Sequence, residues 1–308
     1  MKNEQLKQLS PLLKQAISFQ PMTSGFSGDR IFLVTTSSSE KLVLKLSDIQ
    51  EYPRLRKKAS VLRKLKERGI LCSEVIEIGM SVEQSCSYRI LPFIEGENAR
   101  ASIHLLTNKE QYEIGRRAGR ELSLMHTYPA PSLEVPWDER VMAKHERYVH
   151  AYRSSGVTFN HDQFVLDFIK SHADVVKGRP NRFQHDDFHL GNIIIEGNQY
   201  AGVIDFDQFD WGDPIHDFYK LSLFSRENSI PFSVGQLDHY LSTQATNDDF
   251  WLLFSIYTAM SFFSSIVWTL TFDPAHVKDM VDRVDRMLTD HERFNQLMPT
   301  WYSNWHQS

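Results

Sequence analysis

The sequence predicts an α+β chain of two lobes, a small β-rich one followed by a larger, mainly helical one. Its 308 residues exceed the roughly 100–200 of a usual single core, which favours two compact parts. Period-two apolar runs with polar turns gather before residue 96, and apolar residues at helical intervals dominate after it. Glu95-Gly96-Glu97 marks the change. Hydrophobic residues make up 41% and charged residues 24%, which excludes a disordered, collagen-like or coiled-coil chain.

In the first lobe, residues 4–19 read as a short amphipathic helix interrupted by Pro11. Phe26 to Thr36 and Lys41 to Leu46 are β-rich runs joined by the polar tip Ser37-Ser38-Ser39-Glu40, the pattern of a hairpin. Within KLVLKL, Lys41, Val43 and Lys45 share one face and the three leucines the other. A basic helix follows over Tyr52 to Arg68, with Pro53 suited to its first turn and Gly69 to its stop. Strands at Glu74 to Ile78 and Ser87 to Phe93 complete the lobe.

In the second lobe, Thr107 and Glu110 have capping-box spacing, and Ile114, Ala118, Leu122 and Met125 recur at helical intervals as far as His126. Further helices are expected at Glu139 to Ser154 and Gln163 to Lys177. Strand-like Ile193 to Ile195 and Gly202 to Asp205 follow, turning at Gly197-Asn198, and the remainder reads as helical. The division expected is therefore 1–96 and 97–308. No internal repeat is visible.

A formal charge of -5 gives no global reason to recruit nucleic acid or an anionic membrane. Two cysteines, Cys72 and Cys86, are too few for a disulfide scaffold, and with no apolar signal region at the N-terminus a cytoplasmic protein is expected. Phe250 to Phe272 runs 23 residues without a charge, long enough to span a bilayer. Seven of those residues are Ser or Thr and no basic cluster flanks them, so a buried core helix is favoured over a membrane span.

The polar segment Phe183 to Phe218 is the densest source of chemistry. Asp187 and Asn192 lie five residues apart in a loop ahead of one strand, and Asp205 ends the next. Asn192 and Asp205 are oxygen donors of the kind Mg²⁺ prefers, which leaves Asp187 as a base or orienter. Two other readings stand beside this one: a solvated loop of turn-forming residues, and a transition-metal site from His185, Asp186, Asp187 and His189. In the first lobe, Gly25-Phe26-Ser27-Gly28 reads as a plain turn or as a loop that cradles phosphate, and Lys45 as an edge-strand lysine or a ligand contact. The order glycine loop, strand lysine, helix, connector, Asp187 with Asn192, then Asp205 is the order of parts used in phosphoryl transfer.

With these residues in that order, the chain resembles the aminoglycoside phosphotransferase and choline kinase superfamily, the small-molecule branch of protein-kinase-like folds, from about residue 20 to at least 220. His185, Asp187 and Asn192 match its H-G-D-x-x-x-x-N loop, and Ile204-Asp205-Phe206 its metal motif. Gly212-Asp213-Pro214 with Asp217 resembles its continuation, whose last aspartate is usually structural, and His126 its leucine-histidine helix end. The resemblance implies a protein-kinase-like two-lobed fold that moves the γ-phosphate of ATP directly to a hydroxyl of a small molecule. Asp187 would accept or orient the hydroxyl proton, and Asn192 and Asp205 would hold Mg²⁺. Lys45 would contact the α- and β-phosphates and Ser27 would touch phosphate. Leu91 to Ile94 would form the adenine hinge through the Pro92 carbonyl and the Ile94 N–H.

The sequence departs from this pattern at two places. Asp186 replaces the usual glycine between His185 and Asp187, and it is expected to point outward. Lys58, in Arg56-Lys57-Lys58-Ala59-Ser60, stands where a glutamate would align to pair with Lys45. Glu51 or another acid substitutes, or Lys45 is held without that pair, in which case a weakened, nucleotide-binding protein is the alternative. Asp207, Asp210 and Asp213 add negative charge that would suit a polycationic acceptor such as an aminoglycoside, or else they cap turns. Choline, sugar and homoserine remain as other acceptor types.

Overall fold

Alternation of apolar and polar residues builds a sheet at the start of the chain. The computed structural model describes residues 1–22, 28–131, 135–243 and 249–307. By its contacts the chain divides into two units. The first comprises Met1–Gly96 with Ile194–Glu196 and Ala201–Asp207, and the second the remaining residues.

The first unit opens with helix α1 (Asn3–Lys7) and a 3₁₀ turn at Pro11–Gln15. Strands β1 (Ala16–Met22), β2 (Arg30–Thr36) and β3 (Lys41–Asp48) follow. Helix α2 (Tyr52–Glu67) and strands β4 (Glu77–Ser81) and β5 (Cys86–Pro92) complete the unit's regular elements up to Gly96. The sheet order is β1-β2-β3-β5-β4, with every neighbour antiparallel. Residues 16–19 were expected to be helical and are strand instead. Ala16 and Phe19 bury against the core while β1 pairs along β2, so tertiary pairing overrides the helical pattern. Pro21 is tolerated because β1 is the edge strand, where a missing N–H costs no ladder bond.

Leu42, Leu44 and Leu46 are buried, as the alternation in β3 requires, which leaves Lys45 on the other face, between Ile31 of β2 and Arg89 of β5. Helix α2 buries Leu55, Ala59, Leu62 and Leu65 and ends at Gly69, whose φ of +84° is the left-handed geometry a helix stop uses. Later in the chain, the Val203 N–H donates to the Leu71 carbonyl (2.9 Å), and Cys72 and Val203 form a parallel bridge. These contacts fasten the segment ending in Asp205 and Asp207 to the first unit.

The second unit begins with the short strand β6 (Glu97–Asn98), helix α3 (Ala99–Ser102) and helix α4 (Asn108–Met125). The Thr107 capping box forms: Thr107 Oγ1 accepts the Glu110 N–H (3.3 Å) and Glu110 Oε2 accepts the Thr107 N–H (2.9 Å). Helices α5 (Trp137–Ser155) and α6 (Asp162–His172) precede strand β7 (Arg182–Gln184). Strands β8 (Ile193–Glu196) and β9 (Gln199–Val203) make a hairpin at the expected turn, but β9 starts three residues earlier than expected and ends at Val203, which leaves Asp205 beyond the strand; the hairpin's residues are divided between the units. Strand β10 (Asp210–Gly212) pairs antiparallel with β7.

Helices α7 (Ile230–Thr243), α8 (Phe250–Phe272), α9 (Val277–Asp290) and α10 (Thr300–Trp305) follow. Helices α4 and α7 touch backbone to backbone through glycine. A Cβ on Gly115 would lie 2.1 Å from the Phe232 carbonyl oxygen, and one on Gly119 2.3 Å from that of Gln236. Helix α8 coincides with the charge-free run and is a core helix. Its most apolar 18-residue window is 78% buried, and it packs on α5, α6 and α9.

Candidate active site

The loop between β7 and β8 carries Asp187 and Asn192, and its backbone is pinned from below. Asp217, almost fully buried, accepts the His185 N–H (2.8 Å) and the Asp186 N–H (2.7 Å). His126 Nε2 lies 3.1 Å from the same carboxylate, and His126 Nδ1 bonds Tyr240 Oη at 2.8 Å. A buried carboxylate is tolerable only when its oxygens are paired in this way. The buried His185 ring accepts the Asp187 N–H on Nδ1 (3.3 Å), and Ser225 Oγ accepts the Leu190 N–H (3.1 Å). Ser225 closes a π-helical turn, Leu221–Ser225, a geometry frequent at functional sites.

On this platform Asn192 Nδ2 donates to the Asp187 carboxylate (2.8 Å) and to its carbonyl (2.9 Å). Lys220 Nζ lies 2.9 Å, and His189 Nε2 3.4 Å, from Asp187 Oδ1. Burial works against ionisation of Asp187, but Lys220 and His189 outweigh it and hold the carboxyl well below the usual range. Lys220 is a partner that sequence reasoning missed. It follows Tyr219 directly after the aspartate motif, and only the fold shows that it returns to the loop.

Asp186 corrects the expectation that it points outward. Its φ of +59° is the left-handed conformation for which a glycine would be usual, and Asp is among the few residues that tolerate it. The side chain turns inward, with Oδ2 3.7 Å from Lys144 Nζ and Oδ1 3.3 Å from His216 Nδ1. Burial alone would push its pKa up, but Lys144 and His216 overcome that and keep it ionised. Lys144 and the His216 ring beside it are the reason the carboxylate can be inside. A small cavity of about 30 Å³ opens next to this pair, walled by Lys144, His145, Tyr148, His216 and Tyr219. A larger one, about 450 Å³, is lined by Asn160, Asp285 and Glu292 and holds none of the candidate residues.

In the first unit, Asp205 adopts φ +63° at the end of the fastened segment, and its side chain is 45% exposed. Lys45 Nζ lies 3.5 Å from Asp205 Oδ1 and 3.0 Å from Asp207 Oδ2. Arg89 Nη1 approaches Asp207 Oδ1 at 2.6 Å, and its Nη2 meets Asp29 Oδ2 at 2.8 Å. Lys58 Nζ donates to the Asp207 carbonyl and stands 3.8 Å from its Oδ1. Burial would raise the Asp207 carboxyl, but Lys45 and Arg89 hold it far below its ordinary value, while burial lowers Lys58. Glu51 is engaged by Arg54 (2.8 Å) rather than by Lys45.

The remaining candidates are less closely gathered. The Pro92 carbonyl, expected to face a base edge, accepts Ser73 Oγ (3.0 Å). Ile94 is half-buried, with its Cδ1 close beside Gly202. Ser27, with Gly25 and Phe26, lies outside the described residues. Among the described residues no group of three or more His, Cys, Asp or Glu is arranged to hold a metal ion, which removes support from the transition-metal reading of the His185 to His189 cluster. The acids expected to offer open negative charge are paired as well. Arg140 Nη1 donates to both Asp210 carboxylate oxygens (2.9 and 3.0 Å), and Arg179 and Tyr257 hold the buried Asp213 (2.7 and 2.8 Å).

A family model described as the phosphotransferase enzyme family matches residues 18–251. No curated protein shows significant sequence similarity to the chain. Among solved structures, the gentamicin complex of APH(2″)-IIa is 18% identical, with a TM-score of 0.65 over 92% of this chain and 96% of that one. A thermostable mutant of aminoglycoside phosphotransferase APH(4)-Ia, in ternary complex with ADP and hygromycin B, is 13% identical, with a TM-score of 0.71 over 93% and 97%. The GDP complex of wild-type aminoglycoside 2′-phosphotransferase-IIIa is 12% identical, with a TM-score of 0.68 over 94% and 100%. At such identities these likenesses establish a shared kinase-like fold.

Proposed function

Since the chain belongs to the phosphotransferase enzyme family, we propose that it moves the γ-phosphate of ATP, with Mg²⁺, directly to a hydroxyl of a small molecule. The observation that carries this reading is the Asp187 carboxylate, held ionised and fixed in direction by Asn192, Lys220 and His189 on a loop anchored by Asp217. A carboxylate so stabilised is a weak proton acceptor at rest. It serves first to orient the acceptor hydroxyl and takes the proton late, as charge develops on the attacking oxygen. Loose in-line transfer depends on such positioning and needs no covalent enzyme intermediate.

Asn192 and Asp205 suit Mg²⁺. The Asn192 amide nitrogen is used by Asp187, which leaves its carbonyl oxygen for a cation, and the Asp205 carboxylate is substantially exposed. When bound, the ion would neutralise charge on the phosphate oxygens. Lys45 is assigned to the α- and β-phosphates and Ser27 to phosphate contact. The Pro92 carbonyl and Ile94 N–H are assigned to the adenine edge, with the second lone pair of the Pro92 oxygen available beside Ser73. The weakened, non-catalytic alternative loses its motive, because Lys45 does have an acid partner.

Gentamicin and hygromycin B in the neighbouring structures make aminoglycosides the first acceptors to test. Pairing of Asp207, Asp210 and Asp213 with cations removes them as a reason to favour a polycation over choline or a sugar. The test is ADP formation from ATP on adding each of a panel of aminoglycosides, macrolides, choline, sugars and homoserine. Acceptor-dependent ADP release that EDTA abolishes supports the reading. No release with any acceptor, together with no nucleotide binding, overturns it.

A further inference from the structure

In a kinase scaffold the lysine that touches the phosphates is held by a glutamate on the neighbouring helix. Here that helix presents Lys58, and the nearby Glu51 is occupied by Arg54. We infer that Asp207 is the positioning residue for Lys45, so that the ion pair is supplied by the segment two residues beyond Asp205 instead of by α2. This rests on the assignment of Lys45 to the nucleotide phosphates.

The geometry gives the reason. Lys45 and Arg89 face each other directly across β3 and β5, and like charges in that register repel. The Asp207 carboxylate takes one on each oxygen, Lys45 on Oδ2 at 3.0 Å and Arg89 on Oδ1 at 2.6 Å. Lys58 has the reverse of the glutamate's role: it donates to the Asp207 carbonyl and so fixes the backbone of the acid that fixes Lys45. Arg89 is tied in turn to Asp29 at 2.8 Å. Lys45, Lys58, Arg89 and Asp207 are each at most 16% exposed at the side chain, so solvent screens the cluster poorly. The position of Lys45 therefore follows the segment after β9 that carries Asp205 and Asp207, and α2 helps only by steadying Asp207.

The test is the affinity of a non-hydrolysable ATP analogue for the full chain, measured by calorimetry, with circular dichroism and Tm as checks of folding. Asp207→Asn should weaken binding by about tenfold or more, since it removes the carboxylate shared by the buried cations and leaves Lys45 only the more distant Asp205 at 3.5 Å. Lys58→Met keeps the Lys45–Asp207 pair and loses only the hold on the Asp207 carbonyl, so it should weaken binding clearly less than Asp207→Asn does. The double variant Lys58→Glu with Asp207→Asn returns an acid to the helix and should recover affinity to within about threefold of the original, a rescue that a merely structural role for Asp207 would not give. Wild-type affinity in a folded Asp207→Asn, or a double variant that binds no better than Asp207→Asn, overturns the inference. If Asp207→Asn does not fold, the double variant decides: folded and binding supports the inference, folded and not binding overturns it. Failure of the unmodified chain to bind the analogue instead overturns the assignment of nucleotide to this protein, and the inference with it.

Discussion

Asp187 is a half-buried acid surrounded by donors, and this determines what it can do. Lys220 and His189 keep it ionised, so its value lies in direction more than in basicity. Replacing Lys220 with Met should release the carboxylate from its fixed orientation and lower kcat by about tenfold or more, with the Michaelis constant for ATP little changed. Steady-state kinetics with nucleotide and acceptor varied separately check this. The spacing of Asp187 and Asn192 could be read from the sequence because both lie in one short loop. Lys220, the inward turn of Asp186 and the pairing of Lys45 with Asp207 could not, because each depends on which distant side chains share a buried space. An aspartate two residues after Asp205 was visible in the sequence. Its partner was not, since nothing local shows that Lys45, Lys58 and Arg89 converge on it.

At the scale of elements, close packing decides the second unit. Gly115 and Gly119 let α4 lie directly on the backbone of α7, and a methyl group at Gly119 would meet the Gln236 carbonyl oxygen at 2.3 Å. Gly119→Ala should therefore cost about 1–3 kcal/mol, read as a lower denaturant midpoint, because two helices must separate to admit one carbon. Phe262, fully buried in α8, should cost about 3–5 kcal/mol when cut back to Ala. The same loss would not follow if that face of α8 met lipid. The capped start of α4 and the limits of α8 were legible because capping chemistry and an uninterrupted apolar run are local signals. Strand β1 was misread as helix because its pattern is ambiguous until β2 lies beside it. The strand β4 lies three residues later than expected for a similar reason, as its register is set by β5.

Across the whole molecule, two histidines link stability to pH. Burial brings His145 and His291 down to about 4 from an ordinary 6.5. Unfolded, they bind protons near 6.5, so between about pH 4 and 6.5 the unfolded chain carries more protons than the folded one. Their contribution is fully present above that window and is lost as pH falls through it, by up to about 1.4 kcal/mol per pH unit for each group. Urea midpoints should fall between pH 7 and pH 5, and His145→Gln should flatten the slope; midpoints independent of pH would contradict this. The two-part division was suggested by length and by the change of period near residue 96. The return of Ile194–Glu196 and Ala201–Asp207 to the first unit was not, because it needs the Leu71–Val203 pairing to be seen. The central claim is that Asp187 acts on the transfer and not on nucleotide binding. Transfer of labelled γ-phosphate from ATP to the best acceptor, compared between the unmodified chain and Asp187→Asn, tests it most directly. Turnover should fall at least ~100-fold while ATP affinity stays nearly intact, whereas unchanged turnover in a folded Asp187→Asn variant would contradict the account.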